Sequence, residues 1–515
     1  MVAAGIFLSR IVGLVRNAVF AHFFGLSWAA DAFNGAFRIP NLLQNLFGEG
    51  ALSASFIPVY AGLLAEGKRE EARRVAGAVA AILSLGVALL VLLGVAATPW
   101  LIDLITPGFT GEKRALTVRL VRILFPGAGV FVVSALCLGV LNSHRRFFLS
   151  YAAPVLWNVA MIGCLLAAGP RSSLAELAVW LAWASVGGAV LQLAVQLPSV
   201  LRLNDGLPLV LDAASAQVRT IGRNFLPALV GRGAAQFSAY VDVFLASFLP
   251  NGAVAALTAA QNVYMLPISL FGISVSAAEL PAMSGARGEP GEVAAYLRQR
   301  LEAGLRQIAF FVVPSAVALA ALGHMIAQVL YQRGRFTAED SRYVWAILAG
   351  SAVGLLAATL GRLYSSTFYA LRDTRTPLRY ALLRVGLSVV LGFALVLWAP
   401  TVLGVPPRWG AVGLTLASGA AGWVEFLLLR RVLRARIGTT RPGGTYLLRL
   451  WGAGAAGTGA GWGVLLGLRR LLPATPAVVE GVAVLGTFGL VYLLCTVAMG
   501  IPQARALAAR LGRRP

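Results

Sequence analysis

DAFNGAFRIPNLLQNLFGEG, residues 31–50, lies between two apolar runs yet carries Asp31, Asn34, Arg38, Asn41, Gln44, Asn45 and Glu49. Positions 31, 34, 38, 41, 45 and 48 advance by alternating steps of three and four, which places them along one face of a helix. The chain around them is 58% hydrophobic and 12% charged over 515 residues, whereas soluble globular domains are about one quarter charged. It is therefore read as an all-α polytopic membrane protein. A charged side chain near the bilayer centre costs at least about 2.5 kcal/mol even on a lenient insertion scale. The stripe must face protein or water rather than lipid.

Working outward, apolar runs bounded by charges, prolines or glycines predict about fourteen transmembrane helices. They fall near residues 2–24, 29–60, 75–99, 117–141, 150–169, 175–201, 218–249, 254–284, 301–331, 341–371, 377–399, 408–435, 446–469 and 477–500. The basic loops 68–74, 144–146, 287–306, 372–375, 430–436 and 510–514 fall on one side of this arrangement, which the positive-inside tendency makes cytoplasmic. Arginines at 111–114, 333–335 and 469–470 break the pattern. Both termini are expected in the cytoplasm, and the N-terminal run lacks a small-residue cleavage site.

The formal net charge of +23 is carried almost wholly by arginine, Lys68 and Lys113 being the only lysines. It recurs in short clusters between apolar runs, so topology accounts for it and no nucleic-acid partner is implied. Cys137, Cys164 and Cys495 are widely separated, as are His22, His144 and His324. Neither set has metal-site or redox spacing, and no metal is expected. No Gly-rich phosphate loop ending in Lys-Ser or Lys-Thr is present, so direct use of ATP is unsupported.

A second stripe follows the same spacing at Thr258, Asn262, Met265, Ser269, Gly272, Ser276 and Glu279, interrupted by Pro267 as the first is by Pro40. Each proline removes a backbone donor, which a membrane helix tolerates beside a cavity or a neighbouring helix. Ser9, Arg10, Arg16 and Asn17 in the first span, and Arg232, Gln236 and Asp242 in the seventh, add further polar groups. Paired long polar spans near the start and at the seventh and eighth positions suggest two diverged halves with a site between them. Arginine forks suit phosphate oxygens, so an anionic cargo is indicated. The carboxylates Asp31, Asp242 and Glu279 leave a cationic cargo open.

Several motifs then occur in order: SRIVGLVRNAVFAHFFG, DAFNGAFRIPNLLQNLFGEGALSASFIPVY, LNSHRRFFLSYAAPVLWNVAMIG (141–163), VDVFLASFLPNG (241–252), YQRGRFTAED (331–340) and FYALRDTRTP (368–377). Together they resemble the MurJ (MviN) lipid II flippases, related to the MATE-type exporters. The resemblance implies two six-helix lobes around a central cavity, at 1–201 and 218–435, with helices at 446–500 forming a groove for a polyprenyl tail. It implies translocation of an undecaprenyl-pyrophosphate-linked peptidoglycan precursor to the outer leaflet of the bacterial inner membrane by alternating access. The partners implied are lipid II, membrane lipids and cell-wall synthesis proteins, with a monomeric chain. No cofactor is expected beyond a coupling ion or the membrane potential.

The resemblance matches Ser9, Arg10, Arg16, Asp31, Arg38 and Glu49 to family positions; with the polar groups of the stripes and the seventh span, substrate contacts are expected at Arg10, Arg16, Asp31, Asn34, Arg38, Asn41, Gln44, Arg232 and Asn262. Gating or coupling falls to Ser9, Asn17, Glu49, Asp242 and Glu279. Asn17, Gln44 and Asn262 depart from the family pattern, which commonly has an aspartate at the first position and arginines at the other two. Either the remaining arginines suffice for a pyrophosphate, or the cargo differs: another polyprenyl-linked saccharide, a drug-like solute, or none in a membrane scaffold. A membrane-embedded glycosyltransferase would want carboxylates on sizeable outer loops, and Asp103, Glu112, Glu339 and Asp340 form no such constellation.

Overall fold

The structure, a computed structural model, describes residues 2–212, 214–398, 401–402, 404–440, 443–472 and 475–512; side-chain positions are described for all of these except 2–7, 48–50, 147, 151, 228, 230–239 and 510–512. The secondary structure of the described residues is helical. Among the described residues, ten helices are long and apolar enough to cross a membrane by length and composition. The expected spans at 2–24, 29–60, 218–249 and 446–469 lie outside those ten, and they make up the difference from the expected count. The first three of these carry the charged residues of the candidate site other than Glu279.

The chain forms two compact units, Met1–Ala255 with Arg333–Phe336, and Ala256–Gln332 with Thr337–Pro515. The first holds α1 (Val2–Phe24), α2 (Trp28–Leu43), α3 (Ser53–Ala65), α4 (Arg69–Ile105), α5 (Gly111–Ser143), α6 (Phe147–Ala168), α7 (Leu174–Leu203) and α8 (Ala216–Ser247). Its most enclosed helix is α5, whose Leu120, Val121, Leu124 and Phe125 are buried with Phe24, Phe33 and Ile39 in one cluster. Several buried polar groups inside this unit pair with one another across helices. Gln192 donates to Ser134, and Ser134 donates to Gln196 at 2.6 Å. The Tyr60 hydroxyl donates to Asn204 at 2.7 Å and meets His144 at 2.9 Å, tying α3 to the ends of α5 and α7. Ser27 caps α2, and Ser173 with Glu176 forms a capping box at α7.

The second unit holds most of α9 (Ala253–Pro267), then α10 (Ser274–Ser284), α11 (Pro290–Ala321), α12 (Gly323–Tyr331), α13 (Ala338–Ala370), α14 (Arg375–Phe393), α15 (Gly410–Ile437), α16 (Gly444–Leu471), α17 (Ala477–Ala498) and α18 (Pro502–Gly512). The expected single span 301–331 is two helices, broken at Leu322. The enclosed helix is now α13. It meets α15 almost backbone to backbone, since a Cβ on Gly354 would stand 2.5 Å from Gly419 Cα. Such small-residue contacts let membrane helices associate without a hydrophobic drive between them. The last helices pack on α11 and α12 through Leu322, Met325, Leu465, Val484 and Phe488, and the Tyr492 hydroxyl donates to the Phe310 carbonyl at 2.6 Å.

Neither proline-containing stripe ends its helix. α2 continues from Pro40 into a π-helical stretch, Gln44–Leu52, and then α3; α9 continues from Pro267 into Ile268–Ile273 and then α10. A π-turn bonds i to i+5 and is common at functional positions in helices. Here it takes the place of the kink that proline would impose on a regular ladder.

Candidate functional site

Within the first unit the expected residues separate into three groups with different partners. The first is built around Arg16. Its Nη2 and Nε donate to Asn17 Oδ1 at 2.9 and 3.3 Å, and its guanidinium lies 4.7 Å from the centre of the Trp157 ring. Trp157 donates through Nε1 to Ser185 Oγ at 3.0 Å and stacks on Phe37 at 5.8 Å. Phe131 meets the same indole edge-on at 5.7 Å. The ring is therefore fixed on three sides, and Arg16 is positioned by an indole face and a neutral amide. An aspartate in place of Asn17 would supply the same acceptor with a countercharge, whereas the amide supplies the acceptor alone.

Asn41 and Gln44 line a crevice with Phe37, Pro40, Phe131 and Ser185. Its volume is about 10 Å³, roughly room for one water. It continues the wall that Trp157 begins, since Phe37, Phe131 and Ser185 serve both. Asn34 lies further toward the start of α2, where its amide donates to the Ala30 carbonyl at 2.9 Å. Part of its hydrogen-bonding capacity is thus spent within its own helix.

The second group is Arg38 with Tyr240 and Asp242. The Tyr240 hydroxyl donates to the Arg38 carbonyl at 2.9 Å, and the Asp242 carboxylate stands within electrostatic reach of the Arg38 guanidinium. Phe37 and Arg38 are separated by about 100° around α2, so the Arg16 and Arg38 groups are neighbours held by different partners. Asp242, expected as a coupling carboxylate, already faces an internal cation.

The third group is centred on Asp31, expected among the substrate contacts, whose side chain is fully buried. Oδ2 accepts from Lys113 Nζ and from the Gly252 amide, each at 2.7 Å, and Oδ1 accepts from the Ala255 amide at 2.8 Å. Lys113 also donates to Asn251 Oδ1 at 3.2 Å and lies 4.1 Å from the Phe109 ring centre. A carboxylate on the first-turn amides of a helix is a favourable pairing of opposite charge with dipole. Asp31 is a fastener between α2, the start of α5 and the 251–255 turn, with no oxygen left for a ligand.

Arg10 is exposed and Ser9 half-buried on α1. The side chains of Glu49 and Arg232 lie outside the described residues. In the second unit Asn262 is half-buried, and Glu279 forms an ion pair with Arg300 at 2.8 Å. That pair joins α10 to α11. Sequence reasoning missed Trp157, Ser185 and Tyr240 as parts of the site, because ordinary aromatic and hydroxyl residues in apolar spans carry no periodic signal. Lys113 did carry one: it is one of two lysines in a chain that otherwise uses arginine.

Comparison with known proteins places this geometry in context. A family model described as lipid II flippase MurJ matches residues 20–465. The chain is 32% identical over 438 residues to the lipid II flippase MurJ of Burkholderia cenocepacia, covering 83% of this chain and 82% of that one. It is 30% identical over 479 residues to a probable lipid II flippase MurJ of Vibrio cholerae, covering 89% and 87%. Among solved structures, a lipid II flippase MurJ in an inward closed conformation superimposes with a TM-score of 0.76 at 24% identity, over 97% of this chain and 98% of the other. An inward-facing multidrug-resistance MATE transporter gives a TM-score of 0.66 at 19% identity, over 84% and 96%. These structural likenesses establish a shared fold.

Proposed function

Since the chain belongs to the MurJ family of lipid II flippases, we propose that it moves lipid II from the inner to the outer leaflet of the bacterial cytoplasmic membrane. The single observation that carries the reading in this chain is Arg16, held over the Trp157 face by a neutral amide, beside the Asn41 and Gln44 crevice. A guanidinium so placed offers a fork of donors that matches the oxygens of a pyrophosphate. Arg38 adds a second cation on the same wall, and Asn41 and Gln44 offer amides to sugar or peptide. Arg10, which matches the family pattern, and Arg232, in the seventh span, complete the set.

The cycle is alternating access of two lobes about the site, driven by the membrane potential or a coupled ion, with both termini in the cytoplasm. No covalent step is assigned to any residue. A bound pyrophosphate draws Arg38 away from Asp242, so cargo and Asp242 compete for one cation. This competition links occupancy to a change in α2 and α8, which carry the two residues.

The test is outer-leaflet exposure of lipid II in cells whose only candidate flippase is this chain. Wild type exposes the precursor, and Arg16→Ala, inserted at equal level, does not. Full exposure with Arg16→Ala removes the assignment of the site. Precursor retained inside by a correctly inserted wild-type chain removes lipid II as the cargo and redirects the search to another lipid-linked saccharide.

A further inference from the structure

The second unit contains a charged cluster that neither polar stripe predicts. Arg362 on α13, Arg384 on α14 and Glu425 on α15 come from three of the helices long and apolar enough to cross a membrane. Arg384 Nε lies 3.1 Å from Glu425 Oε2. Arg362 stands within electrostatic reach of Arg384, Tyr264 and Glu425, yet makes no hydrogen bond or ion pair among the described residues. It is exposed, between the buried Gly361 and Leu363, on a helix that is otherwise largely enclosed. Ser365 and Tyr369 continue its face at steps of three and four.

Two guanidinium groups against one carboxylate leave the cluster with one positive charge in excess. Arg362 lies eight residues before the end of α13, Arg384 nine after the start of α14 and Glu425 twelve before the end of α15. At about 1.5 Å per residue these depths are roughly 12–18 Å from the helix ends. The basic loop 372–375 joins the first two of these ends and the basic stretch 430–436 forms the last turns of α15, on the side expected to be cytoplasmic. A surplus cation inside the membrane is costly unless an anion or water meets it. At this depth the anion to hand is the phosphate of a lipid in the inner leaflet, and a guanidinium fork matches phosphate oxygens.

We propose that Arg362, with Arg384 beside it partly neutralised by Glu425, is a second binding point for the pyrophosphate of the polyprenyl-linked substrate, used as the lipid is taken from the inner leaflet. This rests on the lipid II reading above. It adds a contact and does not restore the arginine that the family pattern has at Asn262: Asn262 and Tyr264 point about 200° apart around α9, and it is Tyr264 that neighbours Arg362.

The test uses the full chain in uncharged phosphatidylcholine nanodiscs, with undecaprenyl pyrophosphate and undecaprenol as probes and native mass spectrometry as the readout. Arg362→Gln weakens pyrophosphate-lipid binding by at least about tenfold, the loss expected for one charge-assisted pair, and leaves undecaprenol unchanged. Glu425→Gln, which removes the competing carboxylate, tightens it by at least about threefold; this second variant decides the matter if Arg362→Gln does not fold. Wild-type binding in both variants, with loss in Arg16→Ala, overturns the second site and leaves the lipid II reading standing. A wild-type chain that binds neither probe overturns both. Equal displacement of the pyrophosphate lipid by phosphatidylglycerol in wild type, but not in Arg362→Gln, overturns the substrate assignment in favour of an ordinary phospholipid anchor.

Discussion

Asp31 and Lys113, 82 residues apart in sequence, form an ion pair of 2.7 Å in which the carboxylate side chain is fully enclosed and the lysine side chain 11% exposed. Removing one member of a buried pair strands the other, typically at about 3–5 kcal/mol. Asp31→Asn and Lys113→Met should each lower the thermal midpoint of the detergent-solubilised chain sharply. The double variant should lose less than the sum of the two. Additive losses would show that the pair does not act as a unit.

The indole beneath Arg16 has a separable effect. A cation–π contact contributes about 0.5–2 kcal/mol depending on solvent exposure. Trp157→Leu keeps bulk and hydrophobicity but removes the π-face and the Ser185 bond, and lipid II exposure should fall by about fivefold without reaching the complete loss expected of Arg16→Ala. Unchanged exposure would mean that the ring only fills space.

Close approach of α13 and α15 predicts intolerance of any side chain at their crossing. A Cβ at Gly354 meets Gly419 Cα at 2.5 Å, and relief requires the two helices to separate. Gly354→Val should cost about 1–3 kcal/mol, read as a lower midpoint and poorer recovery of folded protein. Gly361→Val on the same helix, where a Cβ meets nothing within 4 Å, is the comparison that should stay near wild type.

Asp373 gives a pH dependence with a definite sign. In the turn before α14 it accepts from the Thr376 amide at 2.9 Å and the Thr376 hydroxyl at 2.7 Å, and it pairs with Arg436 at 2.7 Å. The Thr376 amide bond first, then the hydroxyl and Arg436, hold its carboxyl down from the ordinary 3.8 to about 2. A folded value below the unfolded one stabilises the fold in full above the unfolded value and is lost as pH falls through the folded one. The difference in midpoint between wild type and Asp373→Asn should be largest above about pH 4 and vanish near about pH 2. A difference that grows on acidification would contradict this bonding.

Much of the fold was legible because lipid makes demands on every residue. Long apolar runs had to be helices, and the Asp31–Gly48 stripe stood out because its chemistry has no place against hydrocarbon. What could not be read was which group answers which. Asp31 resembled a cavity carboxylate until Lys113 and the 252–255 amides were brought to it by folding. Glu279 resembled a coupling group until Arg300 met it across two helices. The Arg362 cluster was hidden for the same reason, its three charges lying on separate spans with no shared spacing. The π-helical stretches had no signature either, since the polar stripes are continuous in sequence where the hydrogen-bond ladder widens.

Those widened stretches bear on how the chain bends. A regular helix that bends must first give up backbone hydrogen bonds, each worth about 0.5–1.5 kcal/mol net. At Gln44–Leu52 and Ile268–Ile273 the regular ladder is already surrendered at rest. There the backbone stays bonded in the wider i to i+5 pattern, so a bend at these points exchanges one bonding pattern for another instead of leaving donors and acceptors bare.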